Sequence, residues 1–245
     1  MTDLFDDQLL DEFARTFYGY GNFGARVWFV GMEEGGGNSF GEVARRLQAW
    51  AERGKQELED VAEYHAALGI TALFDPQPKL QRTWGKLIRI LLASRHSTPT
   101  IEQVRQYQGQ LLGRRTGETC LLELLPLPSP STANWLYGQH SRLPYLVDRA
   151  AYRRVCLPPR IAHLKRRLQE HRPPVVIFYS RSYQEHWEAI AEVNLTAQSD
   201  ELFVGRSATS LFLVTKHPAT KGVSNEYFHH IGRRIATELA MPSQR

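Results

Sequence analysis

Two carboxylates and an imidazole stand at the points of this chain where polar chemistry is easiest to assemble. Glu33 and Glu34 follow the apolar run Val27 to Met32 and lead into three glycines, Gly35, Gly36 and Gly37. His217 follows the apolar run Leu211 to Thr215, with Lys216 before it and Pro218 after it. Each run reads as a buried strand, and in an open parallel sheet ligands bind where loops leave the carboxyl ends of strands. The two segments would therefore carry acids and a histidine to one edge from opposite ends of the chain. There a carboxylate can hold a water or stabilise positive charge, and an imidazole can donate to a leaving group.

The glycine loop invites comparison with phosphate-binding loops, but it has no Gly-Lys-Ser/Thr and lacks dinucleotide-fingerprint spacing. Two adjacent carboxylates would also repel phosphates unless a metal intervened. The glycines instead let backbone approach a ligand closely while Glu33 and Glu34 face it. The competing reading is a tight strand-to-helix turn with exposed acids.

Four apolar runs, residues 27–32, 119–127, 175–180 and 211–216, have the continuous hydrophobicity of strands buried on both faces. Between them, residues 6–17, 41–66, 83–94, 159–170 and 226–239 repeat apolar positions at helical spacing. This alternation predicts one α/β domain over residues 1–245, a three-layer α/β/α sandwich around a four-stranded, mainly parallel sheet. Pro126, Pro128 and Pro130 give the second strand an extended, rigid exit.

Composition narrows the class. Hydrophobic residues make up 42% of 245, enough for a sizeable core. No run approaches the length of a membrane span, and the acidic start is unlike a secretory signal, so a cytoplasmic protein without membrane partners is expected. Two cysteines cannot supply a disulfide scaffold, a four-thiolate zinc site or an iron–sulfur cluster, and Cys120 reads as core. The net charge of +4 hides an asymmetry: residues 1–64 hold thirteen acids and six bases, residues 142–172 nine bases and two acids. The basic segment, with Arg149, Arg153, Arg154, Arg160, Lys165, Arg166, Arg167 and Arg172, reads either as a footprint for polyanions or as a solvated helix face.

A strand ending in Gly-Met-x-x-Gly, a second with a proline-rich exit, a third after Pro173-Pro174 and a fourth ending in His217-Pro218 together resemble the uracil-DNA glycosylase superfamily. The resemblance runs in order over residues 24–239. It implies that Glu33 orients the hydrolytic water, that His217 stabilises charge on the departing base, and that Glu123 occupies the base-reading position. Two departures stand out. Glu34 replaces the usual proline, and Glu123 replaces the usual amide. An ionised Glu123 could only accept hydrogen bonds, favouring a base edge rich in amino donors over uracil's mixed edge.

The substrate-binding set expected on this basis is Gly31, Met32, Glu34, Phe40, Glu123 and Lys216, with Phe40 as the stacking ring because it follows the glycine turn closely. Tyr20 and Trp84 are among the further rim aromatics, and residues 17–22 form either a pocket wall or a helix cap. Lys221, Ser224 and Asn225 are the expected nucleic-acid contacts, although Ser224 and Asn225 read equally well as a helix cap. The leading expectation is a monomeric enzyme, without metal or organic cofactor, that hydrolyses the N-glycosidic bond of an abnormal base flipped from single- or double-stranded DNA. A non-catalytic module that binds a modified base or nucleotide is the alternative. Metal-assisted hydrolysis of a free nucleoside is a third reading.

Overall fold

The computed structural model describes residues 3–95, 98–131, 133–199 and 202–240. The expected strands are present as β2 (Val27–Glu33), β4 (Thr119–Leu125), β5 (Val175–Tyr179) and β8 (Leu211–Thr215). They lie side by side in the order β4-β2-β5-β8, all parallel. The sheet is larger than the four strands expected. The short strands β1 (Gly19–Tyr20) and β3 (Leu58–Glu59) extend it beyond β4, while β7 (Leu202–Arg206) and β6 (Thr196–Ser199) extend it beyond β8. The result is a mixed eight-stranded sheet in which β1, β7 and β6 each run antiparallel to a neighbour.

Of these additions β1, β3 and β6 lack the apolar signature of the central strands. Every residue of β6 is exposed, and β1 and β3 have two residues each. The segment containing β1 is therefore a strand and not a helix cap. Gly19 makes this possible: at φ 134° its missing Cβ would stand 2.1 Å from the Leu121 carbonyl oxygen.

The helices are α1 (Asp7–Thr16), α2 (Phe40–Glu52), α3 (Val61–Ala67), α4 (Arg82–Ala93), α5 (Ile101–Gln110), α6 (Tyr137–His140), α7 (Arg149–His171), α8 (Gln184–Ala191) and α9 (Asn225–Ala240). The helix expected over residues 41–66 is divided. Gly54 and Lys55 both adopt positive φ after α2, and Asp60 starts α3 by accepting from the amides of Ala62 and Glu63. Conversely, Pro158 and Pro159 do not begin a helix but lie inside α7, which starts where Asp148 caps the Ala151 amide. Tyr152, Cys156, Arg160, Leu164 and Leu168 form one buried stripe along α7, and this packing carries the helix through both prolines.

Both faces of the sheet are covered. Trp28 on β2 lies near His171 of α7, whereas its neighbour Val27, on the opposite face by strand alternation, lines a small cavity with Leu91 of α4 and Ile235 of α9. Cys120 and Cys156 are buried free thiols. No helix among the described residues is long and apolar enough to cross a membrane.

Arg160 is the most unusual core residue. It is 1% exposed. Its Nε donates to the Leu124 carbonyl at 2.5 Å, Nη1 to those of Ala14 and Arg15 at 3.1 and 3.3 Å, and Nη2 to those of Phe17 and Glu123 at 2.8 and 3.0 Å. Its guanidinium carbon stands 3.7 Å from the Tyr18 ring centroid. Arg160 thus belongs to the core and not to a surface footprint. Methionine is unbranched and apolar but shorter and without donors, so it removes the Arg160 hydrogen bonds of five carbonyls. Arg160→Met is therefore expected to lower unfolding free energy by about 3 kcal/mol or more, measured by urea titration.

Candidate functional site

The carboxyl ends of the four parallel strands open into a cleft of about 620 Å³. β2 contributes Glu33, β4 Glu123, β5 Tyr179 and the loop after β8 His217. Glu34 and the proline-rich exit of β4, at Ser129 to Ser131, complete this edge, while Tyr20, His65 and Trp84 supply rings. Glu123 is paired in register with Gly31. A Cβ on Gly31 would stand 2.3 Å from both Glu123 Oε2 and the Tyr179 hydroxyl oxygen, so Gly31 acts by leaving room for these two groups.

Both loop glutamates have arginine partners. Glu33 Oε2 accepts a hydrogen bond from Arg149 Nη1. Nη2 of the same guanidinium donates to Ser129 Oγ and to the carbonyls of Ser131 and Asn134 at 2.7 to 2.9 Å. Arg149 therefore fixes the acid and the proline-rich wall together. Glu34 Oε1 accepts from the Tyr20 hydroxyl at 2.6 Å and from Arg46 Nη1 at 2.8 Å. Glu34, in the position of the expected proline, is thus a cleft residue with its own counter-ion.

Glu123 has no such partner. Its Oε1 accepts from the Tyr179 hydroxyl at 2.5 Å, while Oε2 is sealed from solvent without a hydrogen bond. Burial pushes its pKa up to about 8, the Tyr179 bond opposing and the charges of Glu34 and Glu33 adding to the rise. Near neutral pH the group is mainly a neutral carboxylic acid, with one donor and spare acceptor capacity. The acceptor-only character considered from the sequence belongs to the ionised form, whereas the neutral form can meet a base edge that mixes donors and acceptors.

His217 lies with its ring centroid 5.7 Å from that of Tyr179. Its Nδ1 accepts from the Ala219 amide at 3.0 Å, which assigns the proton of the neutral ring to Nε2. Burial pulls its pKa below the ordinary imidazole value. A neutral imidazole with one directed N–H is the form suited to donating toward developing negative charge.

The cleft thus gathers Glu33, Glu34, Glu123 and His217, with Gly31 beneath them. It does not gather three other expected residues. Met32 is buried and alternates to the opposite face of β2 from Gly31 and Glu33. Phe40 stacks on Phe5 at 4.6 Å and borders His140, so the half-buried Trp84 replaces it as the available ring. Lys216 extends over the Tyr227 ring at 5.5 Å. Ser224 caps α9 by accepting from the Tyr227 amide at 3.3 Å, whereas Lys221 and Asn225 line an adjoining groove. Tyr179, Arg46 and Arg149 were not singled out for the site by the sequence. Tyr179 could have been, as the last residue of a strand whose neighbours end in site residues. Among the described residues no group of three His, Cys, Asp or Glu is arranged to hold a metal ion.

A carboxyl whose folded pKa exceeds its unfolded value binds more protons when folded, so stability falls as pH rises between the two values. For Glu123 that window runs from 4.5 to about 8, with a slope of at most about 1.4 kcal/mol per pH unit. Melting temperature measured from pH 5 to 9 is expected to fall less steeply in Glu123→Gln than in the parent chain.

A scan of known family models gives no match to this chain, and no curated protein matches it either.

Proposed function

We propose that the cleft receives a base flipped out of DNA and hydrolyses its N-glycosidic bond. The observation that carries this reading is the presence of Glu33 and a singly protonated His217 at one cleft on the carboxyl edge of a parallel sheet. The three-layer sandwich implied by the resemblance to the uracil-DNA glycosylase superfamily is supported by the parallel core β4-β2-β5-β8 and by helices on both faces.

In this reaction the C1′–N bond breaks with its electron pair passing to the base, and a water oxygen bonds to C1′. Glu33 Oε1, the oxygen not held by Arg149, would orient that water, take its proton and stabilise the positive sugar. His217 Nε2–H would donate to the departing base, a contribution of about 3 to 4 kcal/mol in comparable oxyanion sites. Trp84 is the ring available for stacking, and the neutral Glu123 carboxyl suits an edge offering both an acceptor and a donor. The reading needs neither a partner subunit nor an added cofactor.

The alternative, a module that recognises a modified base without cutting, is favoured by one observation: Arg149 ties Glu33 Oε2 to the proline-rich wall, which leaves that carboxylate a single oxygen for a water.

Oligonucleotides carrying uracil, hypoxanthine, xanthine or mismatched thymine, single- and double-stranded, separate the two readings when treated with alkali after incubation. Catalysis predicts scission with at least one of them, lost in Glu33→Gln and reduced about 10²- to 10³-fold in His217→Ala. Tight, base-dependent binding without scission would make the protein a recognition module.

A further inference from the structure

The cations that the sequence offers to a polyanion are mostly occupied within the fold. On α7, Arg149 pairs with Glu33, Arg167 with Glu57 and Glu170, Lys165 with Glu192 and Arg166 with Glu170. Arg160 is buried among carbonyls, and Arg153 lies over the Tyr183 ring.

A different set is left without counter-ions. Arg82, Lys86 and Arg89 follow one another at i, i+4 and i+7 on α4, a spacing that puts them on one helix face. Together with Lys221 they line a groove of about 580 Å³ between α4 and the loop from Pro218 to Val223. No Asp or Glu is among its lining residues, and among the described residues none of these four cations forms an ion pair. Glu226, just beyond the loop, is taken up by Arg233 and His229.

Arg89 makes this more than a patch of surface charge. It is 8% exposed. Its Nη1 donates to the Gly85 carbonyl at 3.0 Å, and its Nε is sealed from solvent without an acceptor. Lys86 Nζ donates to the Val223 carbonyl at 3.2 Å, tying the helix to the loop, and stands 5.1 Å from the centre of the Phe228 ring. Burial pulls the pKa of both cations down, and Arg89 lowers that of Lys86 further. Two neighbouring, partly desolvated cations without a carboxylate are costly unless an anion completes them.

The groove adjoins the cleft. Gln81 and Ala219 line both, and Ala219 is the residue whose amide holds His217. The loop is internally braced, with the Thr220 amide donating to the His217 carbonyl at 2.9 Å and that of Val223 to the Thr220 carbonyl at 3.4 Å. Recognition there falls to the side chains.

We propose that Arg82, Lys86, Arg89 and Lys221 form a phosphate-binding track that holds the sugar–phosphate backbone of a nucleic acid strand beside the cleft. The proposal rests on the nucleic-acid partner of the reading above but not on its catalytic step.

The test uses fluorescein-labelled DNA of ordinary sequence, without any abnormal base, and follows anisotropy from 50 to 200 mM salt. The variants are Arg82→Gln and Lys221→Gln, both at exposed positions, with Arg154→Gln and Arg166→Gln on α7 as controls and thermal melting as a check on folding. Each groove variant is expected to weaken duplex binding about tenfold at 50 mM salt and to reduce the log–log salt slope by about 0.9, with the α7 variants unchanged. Inorganic phosphate and a mononucleotide serve as competitors. Competition only far above oligonucleotide concentrations supports a backbone track, whereas equal potency would overturn it in favour of a free-phosphate site. Wild-type affinity in the groove variants, equal losses in the α7 variants, or no DNA binding at all would also overturn the proposal. Scission that persists in the groove variants with unchanged DNA affinity would remove the track and leave the glycosylase reading intact. Salt-sensitive binding lost in those variants, with no scission by the parent chain, would do the reverse.

Discussion

A single buried guanidinium holds together the parts on which the cleft depends. Arg160 reaches from α7 to the carbonyls that end α1 and to those of Glu123 and Leu124 on β4. The segment leaving α1 becomes β1 and brings Tyr20 to the cleft, while β4 brings Glu123. One residue thus sets the spacing between two cleft walls, and it does so with a planar fork of donors that a lysine ammonium would not reproduce. The Tyr18 ring over its face completes an environment made of carbonyls and π electrons, without a paired carboxylate.

Charge is organised by the same logic elsewhere. The acidic first quarter and the basic α7 suggest two separate surfaces when read along the chain. In the fold, Glu57 meets Arg167 and His163, and Glu33 meets Arg149. Glu33 and Glu57 thus serve as internal cross-links between distant segments, while Asp11, Glu34, Glu59 and Glu63 pair with arginines of their own N-terminal region. Arg82, Lys86 and Arg89 on α4, which form no conspicuous run in the sequence, line a groove that has no carboxylate among its lining residues. Linear charge patterning shows which side chains exist, not which ones find partners.

The legible part of the fold was the part with two buried faces. β2, β4, β5 and β8 announce themselves through continuous apolar runs, and because their order places polar residues at carboxyl ends, the meeting of Glu33, Glu34, Glu123 and His217 at one cleft could be expected before their contacts were known. The edge strands were illegible for a physical reason: β6 buries nothing, and β1 and β3 are too short for a period to register. Met32 could have been excluded, since alternation along a strand separates it from Gly31 and Glu33. Phe40 could not, because its partner Phe5 comes from a terminal segment whose position no local pattern encodes. The protonation of Glu123 was equally hidden, being a property of the enclosure around the residue rather than of the residue.

The hydrogen bond from the Ala219 amide to His217 has a consequence for proton traffic. A histidine passes protons along a chain when one ring nitrogen can be reloaded as the other unloads. Here the reloading side is capped by a backbone donor, so a proton lost from Nε2 has no route back through the ring unless the loop opens. His217 can polarise what it faces, but it cannot ferry. A group facing His217 therefore meets a fixed hydrogen-bond donor at Nε2, not a proton relayed through the ring from the loop side.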